Sequence, residues 1–349
     1  MSKLELQAIN AHVHLRDFGE NYKETIKSGT KAALAGGFVA VLDMPNNQPP
    51  VLDLERLEKK IAWAKENALC HYGAYVAGTR ELRQIGECSL RACGLKIYMD
   101  ATHGQLLTRD LETLNRLFES WPRHKPICVH AEDMSVAAAI GLAEVYNKSL
   151  HICHVSTEEE ILLIRRAKEL GTRVTCEVTP HHLLLNDEDA LRLGAFGYVK
   201  PILKPKSDVS ALWKNLEVID CLVDDHAPHT DEEKRSDVPP PGLPGLETTL
   251  PLMLSAVAER RLSLEKMLDM VWFKPKQIFG IGELAGSYCV IDLEESYFVE
   301  EIEFQTKVAW SPYSGHRLTG RVRQAFVAGE KVYEDGKFIK AKPKISIIS

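Results

Sequence analysis

The stretch LHICHVSTEEEILLIRRAKELGTRVTCEV, residues 150–178, decides the fold. It opens on a short apolar run, passes through a stretch of good helix formers with helical spacing that ends at Gly171, and closes on a second apolar run. Strands that read as apolar on both faces and are separated by helices belong to a parallel sheet covered by helices. The same unit recurs outward in both directions. AINAHVH (8–14), FVAVLDM (38–44), HYGAYV (71–76), GLKIYM (94–99), PICVHA (126–131) and VIDCLVD (218–224) are further strand runs. Between them lie helical stretches such as KETIKSGTKAALAGG (23–37) and LERLEKKIAWAKENA (54–68). Eight such units over roughly 260 residues predict an α/β chain folded as a (β/α)8 TIM-type barrel. An open doubly wound sheet is the alternative, but no Gly-rich dinucleotide fingerprint follows the first strand.

After about residue 285 the pattern changes to short strands and turns, GSYCVIDL (286–293) and RQAFVAGEKVYEDGKFI (323–339). The expected organisation is a barrel over 1–285 and a small β appendage over 286–349, built mostly from the C-terminal segment. DEEKRSDVPPPGLPG (231–245) is too polar and Pro-rich for an element, and long enough to cover a site.

Composition narrows the class. The 349 residues are 45% hydrophobic and 26% charged, with a formal net charge of −6, which argues against nucleic acid as a partner. No apolar run approaches the ~18 residues of a membrane span, and MSKLELQAIN lacks a signal-peptide core. Eight cysteines are scattered without a CxxC pair, and Cys128, Cys153, Cys176 and Cys221 fall inside strand runs. They read as buried thiols of a reducing compartment, the cytoplasm.

In a barrel, chemistry sits at the C-terminal ends of the strands. In NAHVHLRD (10–17), His12 and His14 alternate along the first strand and so share a face. Lys96 lies on the fourth run, His130 and His154 near the ends of the fifth and sixth, and Asp225 just after the eighth. Four imidazoles, a carboxylate and a lysine at one mouth have the composition of a divalent-metal site. Lys96 could snorkel to the rim, join an ion pair, or be a free amine of lowered pKa that condenses with carbon dioxide to a carbamate.

These motifs resemble the amidohydrolase superfamily and, in detail, the dihydroorotases, most closely the type found as a domain of the animal multifunctional pyrimidine-synthesis protein. HVHLRD, ALAGGFVAVLDMPNNQPP, GLKIYM, VHAED, HICHVSTEEEILLI, CEVTPHHLLL, DDHAPHT and PPPGLPGLETTLPL carry the likeness, which runs from about residue 8 to 340. The resemblance implies two divalent ions, zinc foremost. His12, His14 and Asp225 would hold one, His130 and His154 the other, and Lys96 as N6-carboxylysine would bridge them. Asp225 would also be the catalytic proton carrier. Arg16 and Asn46 would bind the substrate carboxylate, joined by His229 and the backbones of Pro241 and Gly242, and Thr102 would sit on a closing loop. The implied reaction is reversible cyclisation of N-carbamoyl-L-aspartate to dihydroorotate. Homodimerisation and a complex with aspartate carbamoyltransferase are the implied associations.

Two other readings are weighed against this one. A hydantoinase or allantoinase would share the metals, but its substrate lacks the carboxylate that Arg16 and Asn46 suit. A non-catalytic scaffold for the transferase would have no need of six filled ligand positions. Phe18, His103 and PILKPKSD (201–208) depart from the family pattern without touching a ligand. His151, three residues before His154, is expected to face away and pack. Cys153 and Glu177 could reach an auxiliary metal, or serve as a core thiol and a supporting carboxylate. His181 and His182 are expected to orient the site, and Asp224 to be an ordinary strand-end residue.

Overall fold

Eight parallel strands carry the apolar runs. A computed structural model describes residues 3–102, 106–339 and 342–349. Its barrel strands, in order, are Ala8–Val13, Phe38–Asp43, His71–Ala74 continued by Val76–Ala77, Leu95–Tyr98, Ile127–His130, Leu150–Ile152, Val174–Val178 and Cys221–Leu222. Each pairs in parallel with the next. A bridge between Val13 and His226 closes the ring, with the His14 amide donating to the His226 carbonyl at 2.8 Å.

The helices start where their sequence says they should. Glu158–Glu169 is opened by a Thr157/Glu160 capping box, has acidic residues in its first turn and Arg166 and Lys168 in its last. Ile161, Ile164 and Ala167, three apart, bury its inner face. Within the 231–245 segment, Asp231–Lys234 forms one helical turn that reads as loop in the sequence. Thr230 and Glu233 cap each other there, a local box strong enough to form a turn among polar residues.

The appendage is a five-stranded antiparallel sheet in the order Lys3–Leu6, Tyr288–Phe298, Arg317–Val327, Glu330–Glu334, Lys337–Phe338. Ala328-Gly329 and Asp335-Gly336 make its tight turns, both residues of each pair having positive φ. Two short strands cross the expected 285/286 divide. Lys3–Leu6 pairs with Tyr288–Phe298 in the appendage, while Ile347–Ile348 pairs with the third barrel strand. Leu6, Ile9, Ile291, Val322 and Ala325 belong to one apolar cluster, so burial holds the two parts together. Among the described residues no helix is long and apolar enough to cross a membrane.

Candidate metal centre and anion clamp

His12 and His14 project from the end of the first strand towards Asp225. His12 Nε2 lies 3.2 Å and His14 Nε2 2.9 Å from the same Asp225 Oδ1. The other ring nitrogens are taken: His12 Nδ1 meets Glu177 Oε1 at 2.5 Å and His14 Nδ1 meets Asn46 Oδ1 at 2.6 Å. Placing a proton on each Nδ1 leaves both Nε2 atoms as ligands, the usual arrangement around a metal-binding imidazole.

His130 and His154 meet on the other side, Nδ1 to Nε2 at 2.9 Å, while His130 Nε2 and His154 Nδ1 are buried without a hydrogen-bond partner among the described residues. Burial lowers the pKa of both, and His154 is lowered further by His130 and Lys96. They are neutral donors. Burial also holds His14 down, at about 3. Burial and Lys96 press His12 the same way, but Glu177 and Asp225 outweigh them and hold it at about 10. Two carboxylates thus favour positive charge at that nitrogen. Burial pushes the Asp225 carboxyl up, yet His12, His14 and His154 bring it well below the usual carboxylate range.

Donor atoms of His12, His154 and Asp225 cluster closely enough to share an ion, and so do those of His12, Cys153 and Glu177. Both His154 and Asp225 have positive φ, 35° and 49°. For side-chain-bearing residues this is strained backbone of the kind concentrated at functional sites. The strain also corrects the reading of His151. The sixth strand ends at Ile152, so the turn at His154, not strand alternation, aims that ring. His151 faces inward, its Nε2 3.0 Å from Glu177 Oε2 and its Nδ1 2.8 Å from Thr175 Oγ1. It holds the carboxylate that holds His12.

Lys96 is wholly buried, and its ammonium donates to Cys153 Sγ at 2.9 Å. Burial lowers its pKa, but Cys153 and Glu177 reverse the sign and the net direction is upward. The side chain is therefore enclosed at the thiol and does not snorkel to the rim.

Arg16 lies beyond His14, 2% exposed, with Nη2 3.5 Å from His229 Nε2. Its Nε and Nη1 make no hydrogen bond among the described residues, although Glu20 lies 3.8 Å from Nη1. A buried guanidinium with two such N–H groups suits a carboxylate. The surroundings of Arg16 are braced by residues that sequence reasoning passed over. Lys23 Nζ reaches Glu20 at 2.6 Å, Glu233 at 3.0 Å and His229 Nδ1 at 3.3 Å. Asn47 Nδ2 donates to the carbonyls of Leu15 and Asp17, while its Oδ1 accepts from Lys60, which also pairs with Asp43 at 2.9 Å. Wholly buried Lys234 donates to the carbonyls of Tyr198, Pro240 and Gly242. Gly242, at φ 134°, packs so tightly that a Cβ would lie 2.5 Å from the Ala227 carbonyl and 3.1 Å from the His229 ring. Pro241 beside it is half-buried.

Thr102 is half-buried after the fourth strand, and His103 lies outside the described residues. A cavity of about 630 Å³ opens beside Asn46, lined also by Thr79, Leu106 and Thr108. His182 bonds Thr179 Oγ1 and the Pro201 carbonyl, whereas neither ring nitrogen of His181 finds a partner among the described residues. Asp224 Oδ1 accepts from the His226 amide at 2.9 Å, and burial lifts its carboxyl to about 6.

A profile of the Amidohydrolase family matches residues 8–292, from the first barrel strand into the appendage. The chain belongs to the amidohydrolase family. Among curated amidohydrolase relatives, Multifunctional protein CAD of Squalus acanthias is 43% identical over 333 residues, 95% of this chain but 15% of that protein. This amidohydrolase chain therefore spans about one seventh of the length of that relative. Dihydroorotase of Pyrococcus furiosus is 34% identical over 360 residues, covering 96% of this chain and 82% of the archaeal one. L-Hydantoinase from Arthrobacter aurescens superposes with a TM-score of 0.91 over 99% of this chain and 88% of its own, at 24% identity, a likeness of fold.

Proposed function

We propose that this amidohydrolase is a dihydroorotase, interconverting N-carbamoyl-L-aspartate and dihydroorotate in pyrimidine synthesis. The observation that carries the reading is the buried Arg16 guanidinium, its Nε and Nη1 without hydrogen bonds, beside the His12–His14–Asp225 cluster. An amide-cleaving centre and a carboxylate clamp side by side match a cyclic amide that carries a carboxylate.

The donor set fits divalent cations, since His130 and His154 are held neutral by burial and each keeps one buried ring nitrogen, His130 Nε2 and His154 Nδ1, without a hydrogen bond among the described residues. His12, His14 and Asp225 would hold one ion and His130 and His154 a second, with zinc the best match to imidazole and carboxylate ligands. As an ammonium, Lys96 opposes positive charge at His12, His130 and His154. Carboxylated to N6-carboxylysine it would become an anion able to bridge both. When bound, such ions acidify water and polarise an amide carbonyl.

The chain's own groups do the rest. Arg16 and the Asn46 amide seat the carboxylate, with His229 and the Pro241–Gly242 backbone closing around it and Thr102 above. Asp225 takes the proton from the attacking water at a carboxylate oxygen and returns it to the leaving ring nitrogen. In the synthetic direction it runs the same transfer backwards. Eight free, buried cysteines support a reducing, cytoplasmic setting. Association with aspartate carbamoyltransferase is part of the proposal, supported by the likeness to the multifunctional protein.

The test is an assay of the purified chain with both N-carbamoyl-L-aspartate and dihydroorotate, with elemental analysis expected to find about two divalent ions per chain. Arg16→Ala is expected to cost on the order of 2–5 kcal/mol in kcat/KM with metal retained. Normal dihydroorotate turnover by that variant would overturn the substrate assignment.

A further inference from the structure

One polar atom at the mouth has no task in this scheme. Tyr98 ends the fourth strand two residues after Lys96, so the two side chains share a face. It is 3% exposed, with Leu52, Ala77 and Leu106 packed in the same small cluster. Its ring centroid lies 5.2 Å from Lys96 Nζ and 6.2 Å from the His130 ring. Its backbone is fixed too, the carbonyl accepting from the Thr108 amide at 2.8 Å. Yet Tyr98 Oη is buried and finds no hydrogen-bond partner among the described residues.

A hydroxyl in that state detracts from folding, because it gives up water and gains nothing in return. Phenylalanine would fill the same space without that cost, so packing does not account for the oxygen. Its packing and its backbone bond thus fix the hydroxyl as a donor on the Lys96 and His130 side of the site.

We propose that Tyr98 Oη donates a hydrogen bond to the scissile carbonyl oxygen of the substrate, the atom that gains negative charge as water adds. The inference rests on the amide-hydrolysis reading above. The proton stays on Oη throughout, and no bond to it is broken. A donor held in place before the reaction needs no reorganisation when charge develops, which is where such groups have their largest effect.

Tyr98→Phe tests this in the metal-loaded enzyme, with kcat and KM for dihydroorotate, metal content and Tm measured beside wild type. The expected result is a fall in kcat of about 10²–10³-fold. KM should stay within a few-fold, metal content should be unchanged, and Tm should be equal or higher. An unchanged kcat overturns the proposal. So does loss of metal together with kcat, which would assign the hydroxyl to the ligand set around Lys96. A wild-type chain inactive on dihydroorotate would defeat the proposed function and this inference with it. An active wild type with an equally active variant would defeat the Tyr98 assignment alone.

Discussion

At the barrel mouth Lys60, Lys96 and Lys234 are wholly buried, each donating to a carboxylate, a thiol or a set of carbonyls. On the appendage, Arg321, Arg323 and Lys331 also have partners, Glu295, Asp335 and Glu334, but about a third of each side chain remains in water. The same residue types thus work in two regimes. A buried charge must be paired completely, and removing one partner strands the other. An exposed pair gives up little when broken, because water replaces the lost partner. The mouth is where charge is rigid enough to steer chemistry. The appendage is where it keeps a surface soluble.

The largest effect is expected where a charge is also a reactant. Asp225→Asn keeps the side chain's size and one oxygen but cannot accept the proton, so turnover should fall by about 10²–10⁴-fold. Asp224→Asn, whose hydrogen bond goes to the His226 amide, should stay close to wild type. Steady-state rates with metal content for both variants check this, and the reverse pattern would break the assignment of the site.

Next comes stability at the mouth. Lys60→Met leaves Asp43 buried without its cation, and should lower unfolding free energy by about 3–5 kcal/mol in urea titrations. A loss below 1 kcal/mol would erase the distinction between the two regions.

Glu247 sharpens the comparison at the boundary. It is 6% exposed and accepts from the amides of Gln305 and Thr306. Burial lifts its carboxyl from 4.5 to about 8, with the charge of Glu24 adding to the rise. Between those values the folded chain holds a proton that the unfolded chain has released, so this group's contribution is favourable at low pH and declines as pH rises from about 4.5 to about 8. Glu247→Gln removes the titrating group and keeps an acceptor oxygen for one of the two amides, so it should lower stability somewhat at every pH yet flatten that decline, read as denaturation midpoints from pH 5 to 9. A slope unchanged by the substitution would locate the pH dependence elsewhere.

The smallest effect belongs to the appendage surface. Arg323→Ala removes contacts to Glu295 and Asp335 and should cost about 0.2–1 kcal/mol, diminishing with added salt.

What could be read in advance follows the same division. The eight strand runs and the helices between them are visible because burial on two faces leaves an apolar signature. His12, His14, Lys96, His130, His154 and Asp225 stand out because polar residues at strand ends interrupt that signature. Lys23, Lys60 and Lys234 do not, since a lysine in a helix or polar loop looks solvated until tertiary packing encloses it. His151 was misplaced for a related reason. Counting alternate residues assumes that the strand continues, and the backbone turns at His154 instead.

The exchange of short strands between barrel and appendage bears on how this molecule can be cut. Expressed alone, residues 1–285 would carry an edge strand, Lys3–Leu6, stripped of its partner. The piece 286–349 would carry Ile347–Ile348, whose place lies in the other fragment. Each half would hold a key to its counterpart, so a chain severed at that point is suited to reassembly by fragment complementation, not to independent life as two modules.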